Sequence, residues 1–233
     1  VRNKDKIIEL SEAMKEANAT LLETGGATPN KIWQEGDSQN AIYAVRSLGI
    51  DPSNGRELFL KKNGEVTYTW DANDRVFCGV DQPDYRGNIN TMFMWKDLSV
   101  NLSFGYEWGG QQYNSTLISR VENADKKYNV DRRVYEDRWK EPGDRTFFKG
   151  INETTATQAT SRFVQDEATF TCQNLNVTYD LKGNKWLKRN LGIQTLTLKG
   201  DIADLFRIST IKQERGTSYP FSRQFSFTLS AMF

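Results

Sequence analysis

Six apolar residues take every second position of one short segment: Leu98, Val100, Leu102, Phe104, Tyr106 and Trp108, separated by Ser99, Asn101, Ser103, Gly105 and Glu107. Alternation of this length predicts a β-strand with one apolar and one polar face. The pattern recurs. Leu175, Val177, Tyr179 and Leu181 alternate with Asn174, Asn176, Thr178 and Asp180, while Leu196, Leu198, Gly200 and Ile202 alternate with Thr195, Thr197, Lys199 and Asp201. Phe225, Phe227, Leu229, Ala231 and Phe233 share one side of the last segment. With "GNINTMFMW" at 87–95, these segments predict five strands, at about 85–95, 98–108, 164–181, 193–206 and 221–233.

Alternation alone leaves two surroundings open for the apolar face, a soluble core or membrane lipid. Connection lengths separate them. Lys96-Asp97 is a tight turn, 109–163 is long, polar and charged, "GNKWLKRNLG" is a short basic link, and 207–219 is a medium loop. Compact soluble domains seldom leave a loop of about 50 residues between neighbouring strands. Outer-membrane barrels alternate short periplasmic turns with longer extracellular loops. With Lys96-Asp97 on the periplasmic side, loops 109–163 and 207–219 are extracellular and Phe233 ends in the periplasm. The polar alternates Asn101, Glu107, Asn176, Asp180, Lys199 and Asp201 then line a lumen. Trp95 marks one headgroup girdle, and Tyr106 with Trp108 the other. The expected lipid-facing set is Leu98, Val100, Leu102, Phe104, Leu175, Val177, Tyr179, Leu196 and Leu198. The competing reading is a secreted or surface β-rich carbohydrate-binding module with no membrane insertion.

Composition narrows the function classes. The 233 residues carry a net charge of +1, which gives none of the global basic field of a nucleic-acid binder. Mean hydropathy is −0.67 and no window approaches a transmembrane helix, a result that leaves barrels untouched because only half of each strand is apolar. The 6 Trp, 9 Tyr and 13 Phe suit a sugar-binding surface or interfacial girdles. The absence of histidine removes Ser-His and Cys-His nucleophiles and nearly all zinc enzymes, so neither a metal nor another cofactor is expected. Cys78 and Cys172 are too few for a disulfide framework and read as unpaired side chains.

The N-terminal part reads differently. Ile7, Leu10, Met14, Ala17 and Leu21 predict an amphipathic helix over 6–23, ended by Gly25-Gly26. From Thr24 to Pro83 the text is turn-rich, with one small hairpin, "RELFLKK" and "EVTYTW", across Lys62–Gly64. Residues 1–84 are therefore expected to hold a strand end and then an extracellular loop region with that helix and hairpin. The chain starts at Val1 without an initiator Met or signal peptide, as a mature chain or a piece of a longer one would.

"RRVYEDRWKEPGD" gathers Glu136, Asp137, Glu141 and Asp144, which invites comparison with a glycosidase pair. A solvated helix with charge pairs such as Arg133–Asp137 and Asp137–Lys140 explains the same residues, and no catalytic residue is assigned. Arg132, Arg133, Tyr135 and Trp139 are candidates for contact with cargo or a partner. "GYEWGG" matches no phosphate-loop spacing.

"SQNAIYAVRSLGIDPSNGRELFLKKNGE", "YRGNINTMFMWKDLSVNLSFGYEWGGQQYN", "NVDRRVYEDRWKEPGD", "ATSRFVQDE" and "DLFRISTIKQERGTSYPFSRQFSFTLSAMF" resemble, in order, the C-terminal part of SusC/RagA-family TonB-linked outer-membrane transporters of Bacteroidetes. The resemblance covers most of 38–233. It implies the C-terminal strands of an antiparallel barrel of about 22 strands with a plugged lumen. It also implies a SusD-like lipoprotein lid, energy supplied through TonB, and a cargo that is a glycan or a peptide. In the family the plug and the TonB-contacting segment lie N-terminal to such strands. Five strands close no barrel, so the sheet is expected to be completed by the same or a separate polypeptide. The family ends on an aromatic strand that the outer-membrane assembly machinery recognises, and here that role falls to Phe225, Phe227, Leu229 and Phe233.

Overall fold

The computed structural model describes residues 4–125, 127–212 and 223–233 and divides into two compact units. One unit combines residues 3–84 with 109–167, and the other combines 85–108 with 168–233. The architecture is mostly antiparallel β, and no helix among the described residues is long and apolar enough to cross a membrane.

The first unit opens with helix α1 (Glu12–Glu23), capped by Ser11, whose hydroxyl accepts from Met14 N. The helix expected from residue 6 therefore begins at Glu12. Nor do Gly25-Gly26 end it. Thr24 is extended, and Arg75 Nη1 instead donates to the Leu21 and Leu22 carbonyls at 3.0 and 3.4 Å. A guanidinium at the negative end of a helix satisfies carbonyls that have no partner within it.

Strands β1 (Ala41–Ile50), β2 (Glu57–Leu60), β3 (Val66–Thr67) and β4 (Arg75–Val80) form a sheet in the order β3-β2-β1-β4. The hairpin expected around Lys62–Gly64 is β2–β3, closed by a hydrogen bond from Lys61 N to Glu65 O at 2.9 Å. The turn-rich reading of 24–83 missed β1 and β4. Ala41–Val45 are all buried, so the start of β1 carries no alternation to read.

The expected polar loop 109–163 also has a core of its own. Helical turns α2 (Ser115–Leu117) and α3 (Arg133–Glu136), with a π-helical turn at Ile118–Glu122 between them, bury Leu117, Ile118, Val121 and Val134 against Phe148 and Phe163. Few apolar residues are needed because they arrive from widely separated positions.

The second unit is one sheet. Strands β5 (Tyr85–Trp95), β6 (Leu98–Tyr113), β7 (Val164–Lys182), β8 (Thr195–Ser209) and β9 (Gln224–Met232) stand in sequence order, all antiparallel in the registers that follow. The unit boundary falls inside β6 after Trp108 and inside β7 before Ala168. Trp95 faces Leu98 across the turn, and the ladder runs unbroken to Tyr85 opposite Trp108. Lys96 reaches positive φ to make this two-residue turn. β7–β8 runs from Lys182 opposite Thr195 to Thr169 opposite Ser209, with a register shift between Cys172 and Asn174 near Asp204, whose φ is 51°. β8–β9 runs from Thr195 opposite Met232 to Ala203 opposite Gln224.

β6 and β8 run further than expected, to Tyr113 and Ser209, and β8 starts at Thr195. Residues 213–219 of the expected loop and 221–222 of the expected last strand lie outside the described residues. The basic link forms helix α4 (Lys185–Leu191), capped by Asn184 and ended by Gly192 at φ 69°. Cys78 and Cys172 are free thiols.

Candidate functional site

Residues directly opposite each other in an antiparallel ladder point to the same side. The registers therefore collect the alternating residues of the second unit onto two unlike faces. On one face, Leu98, Val100 and Phe104 stand opposite Trp95, Phe93 and Ile89, and Leu102 opposite Thr91. Tyr179 and Val177 stand opposite Leu198 and Gly200, with Leu175 opposite Ile202 and Leu181 opposite Leu196. Leu198, Gly200 and Ile202 stand in turn opposite Leu229, Phe227 and Phe225. Phe104 stacks on Phe170 at 5.5 Å, which joins β6 to β7 on this face. Phe225, Phe227 and Leu229 are 69%, 74% and 61% exposed, and Phe233, just past β9, is 76% exposed. All the sequence candidates on the strands thus fall on one continuous apolar face.

Tyr106 and Trp108 sit at the end of this face away from the Lys96-Asp97 turn, stacked at 5.0 Å, with Tyr85 5.6 Å from Trp108. Trp95 is at the turn end. Tyr106 lies across Gly87, where a Cβ would come within 2.5 Å of its hydroxyl. No sequence pattern pointed to Gly87.

The other face carries a hydrogen-bonded polar row. Ser103 bonds Asn90 on β5, Asn101 reaches Asn176 at 3.4 Å, Asn176 donates to Asp201 at 2.5 Å, and Ser226 on β9 reaches Asp201 at 3.4 Å. Thr197 donates to Asp180 at 2.6 Å, and Lys199 pairs with Asp201 at 3.4 Å. Each of these five strands reaches at least the lower end of the roughly 9–11 residues that a tilted crossing of the bilayer needs; the shortest of them, β9, has 9.

The first unit is organised around Arg162. Its Nε and Nη2 donate to the two carboxylate oxygens of Glu57 at 3.0 and 2.7 Å. Its Nη1 and Nη2 donate to those of Glu122 at 2.8 and 2.6 Å. The guanidinium also stacks 4.5 Å from the Phe163 ring centroid. Burial alone would lower its pKa, but the hydrogen bonds to Glu122 and Glu57 and their charges outweigh that and raise it. Ser47 supplies a further bond to Glu57 at 2.6 Å and Thr157 one to Glu122 at 2.7 Å. The π-helical turn presents Glu122, β2 presents Glu57, and the short 3-10 turn at Ser161–Phe163 presents Arg162. Nothing in the spacing of these residues marks them in the sequence.

Two cavities flank this centre. One, of about 450 Å³, is walled by Phe59, Tyr68 and Trp70 with Lys149 and Gln158; the other, of about 490 Å³, includes Tyr135, Trp139 and Lys140. Arg56 and Glu153 line both and pair at 3.5 Å between them. Burial lowers the Lys149 pKa against the pull of Glu122 and Glu153. Both cavities offer aromatic walls and a few charged groups, the chemistry of a small polar ligand or a partner side chain.

The sequence-predicted contact residues divide. Tyr135 is 70% exposed beside Lys140, whose ammonium lies 5.2 Å from its ring. Trp139 is partly committed to the fold, since its Nε1 donates to the Pro52 carbonyl at 2.9 Å and its ring covers Gly55. Arg132 pairs with Glu136 at 2.5 Å and Arg133 with Asp131 at 2.8 Å, so the charge pairing differs in partners from the expected Arg133–Asp137. Asp144 accepts from the Lys140 and Glu141 amides, a turn role.

No family model matches the chain, and no curated protein matches it. Solved structures do. The chain is similar to a chain of the RagAB peptide transporter at 20% identity and TM-score 0.61, covering 80% of this chain and 21% of that one. It is similar at 19% identity and TM-score 0.66 to a chain of the RagAB peptide importer in the open-open state, over 86% of this chain and 23% of that one. The closed-closed state gives 19% identity, TM-score 0.58, and coverages of 76% and 20%. The chain thus has the fold of a part of transporter chains, and it spans about a fifth of their length.

Proposed function

We propose that this chain supplies the C-terminal wall of a TonB-dependent outer-membrane importer of the SusC/RagA type. The observation that carries the reading is the single apolar face shared by all five strands, backed by a hydrogen-bonded polar face. Lipid takes the first and a watery or plugged lumen the second. Leu98, Val100, Leu102, Phe104, Leu175, Val177, Tyr179, Leu196 and Leu198 meet hydrocarbon, and Trp95, Tyr106 and Trp108 meet headgroups. Phe225, Phe227, Leu229 and Phe233 serve as the assembly signal. The remainder of the barrel, with its plug, pairs with the edges at β5 and β9. Loops are extracellular and the C-terminus periplasmic. Import proceeds without chemical change to the cargo and needs no cofactor, and TonB acts through a plug-side segment.

The cargo is an oligosaccharide passed on by a SusD-like lipoprotein, with Arg132, Arg133, Tyr135 and Trp139 as contact residues on the extracellular side. A peptide cargo is the second reading, supported by the solved structures, which are described as peptide transporters.

The test is extraction and gel mobility. A barrel wall requires detergent for release from the envelope and shows heat-modifiable migration. A chain that is soluble and monomeric without detergent would overturn this reading in favour of a surface carbohydrate-binding module.

A further inference from the structure

At one end of the strand unit the register brings Trp95, already placed at the headgroups, beside cations and an exposed tryptophan that the transport reading does not use. Trp95 and Lys96 stand at the β5–β6 turn, and the β7–β8 connection follows Lys182, which faces Thr195 at the start of β8. Asp180 N bonds Asp97 O at 2.8 Å, so the two connections lie side by side. The β7–β8 connection contains α4, with Lys185, Lys188 and Arg189 all exposed. No Asp or Glu occurs between Asp180 and Asp201. Among the described residues no carboxylate pairs with Lys185, Lys188 or Arg189.

The helix is built to stay at this surface. Asn184 accepts from the Trp186 and Leu187 amides at 3.0 and 3.4 Å, and Gly192 ends the turn at φ 69°. Leu187 is the buried residue of the helix, while Trp186 and Leu191 are 63% and 52% exposed. Trp95 is 60% exposed, with the Lys96 ammonium 4.9 Å from its ring. The patch is continuous with the apolar face through Leu181 and Leu196, which stand opposite one another.

We infer that α4, with the neighbouring Trp95-Lys96 corner, is a binding site for the headgroups of anionic glycerophospholipids. Clustered cations meet the phosphates, and tryptophan and leucine enter the boundary between headgroup and acyl chain. An acidic protein segment would match the charge but would leave Trp186, Leu191 and Trp95 without an apolar surface to enter. The site rests on the proposed membrane location.

The experiment uses the assembled protein in mild detergent, mixed with phosphatidylglycerol or phosphatidylcholine, with bound lipid counted by native mass spectrometry. Phosphatidylglycerol binds preferentially at low salt. Each basic residue near an anionic surface contributes about fivefold, so K185Q/K188Q/R189Q reduces that binding by about a hundredfold. Lys61→Gln, on the β2–β3 hairpin, leaves it unchanged. Equal binding of the two lipids, or an unchanged preference in the triple variant, overturns the inference. So does full displacement by excess inorganic phosphate, which would mark a plain anion site, or preferential capture of an acidic peptide over the lipid. Heat-modifiable mobility retained without lipid preference defeats this inference alone. Loss of the detergent requirement defeats the barrel reading and the inference with it.

Discussion

Arg162 grips Glu57 with two parallel hydrogen bonds across a sequence separation of 105 residues. The side chains of Arg162, Glu57 and Glu122 are only 5%, 6% and 0% exposed. Removing the cation leaves two carboxylates together in a buried site. Arg162→Met is expected to destabilise this unit by about 3–5 kcal/mol, the usual cost of breaking a buried pair from one side. Denaturant titration with tryptophan fluorescence measures it. A change within about 0.5 kcal/mol, typical of an exposed site, would show that the cluster does not hold the unit together.

Tyr106 lies over Gly87, with no space for a Cβ beneath its hydroxyl. Gly87→Ala should cost about 1–3 kcal/mol through overpacking and lower the yield of heat-modifiable protein. Adding Tyr106→Ala removes the clash, so the double variant should lose less than the sum of the two single changes. Strict additivity would mean that the ring swings aside freely.

Phe104 and Ser103 are chain neighbours on opposite faces of β6. Ser103 bonds Asn90, and Phe104 stacks on Phe170. Arginine on the lipid face of a barrel costs about 2–4 kcal/mol near the midplane. Phe104→Arg should therefore impair membrane insertion far more than Ser103→Arg, scored by outer-membrane fractionation. Equal effects would reverse the assignment of the faces.

Deleting Phe233 should lower the amount of protein assembled in the outer membrane while leaving its synthesis intact, as read by immunoblotting of fractions. Normal assembly after the deletion would remove Phe233 from the assembly signal.

Asp51 opens the 51–56 turn, its amide donating to the Arg56 carbonyl at 2.8 Å. The Tyr68 hydroxyl and then the Ser53 amide and hydroxyl, the last two both at 2.8 Å, hold its carboxyl below the ordinary value of 3.8. A carboxyl that is more acidic when folded gives its full stabilisation above the unfolded value and loses it as pH falls through the folded one. The melting temperature should drop below about pH 4, less steeply in Asp51→Asn. Parallel profiles for the two proteins would assign the acid limb to other groups.

The two faces of the large sheet were legible at Leu98–Trp108, because side chains alternate across a strand whatever the strand packs against. The β2–β3 hairpin was legible for a related reason, since Asn63-Gly64 favours positive φ locally, and Gly64 adopts 88°. Period and turn chemistry are properties of neighbouring residues, so the sequence by itself determined them. Tertiary structure decided the rest. β1 is buried on both sides at its start and shows no period. Helix α1 ends where Arg75 arrives from strand β4, and the basic link becomes a helix around the buried Leu187. Arg162, Glu57 and Glu122 are three ordinary charges in the sequence. Their pairing exists only because distant segments exclude water from one site, where a charge is stable only when paired.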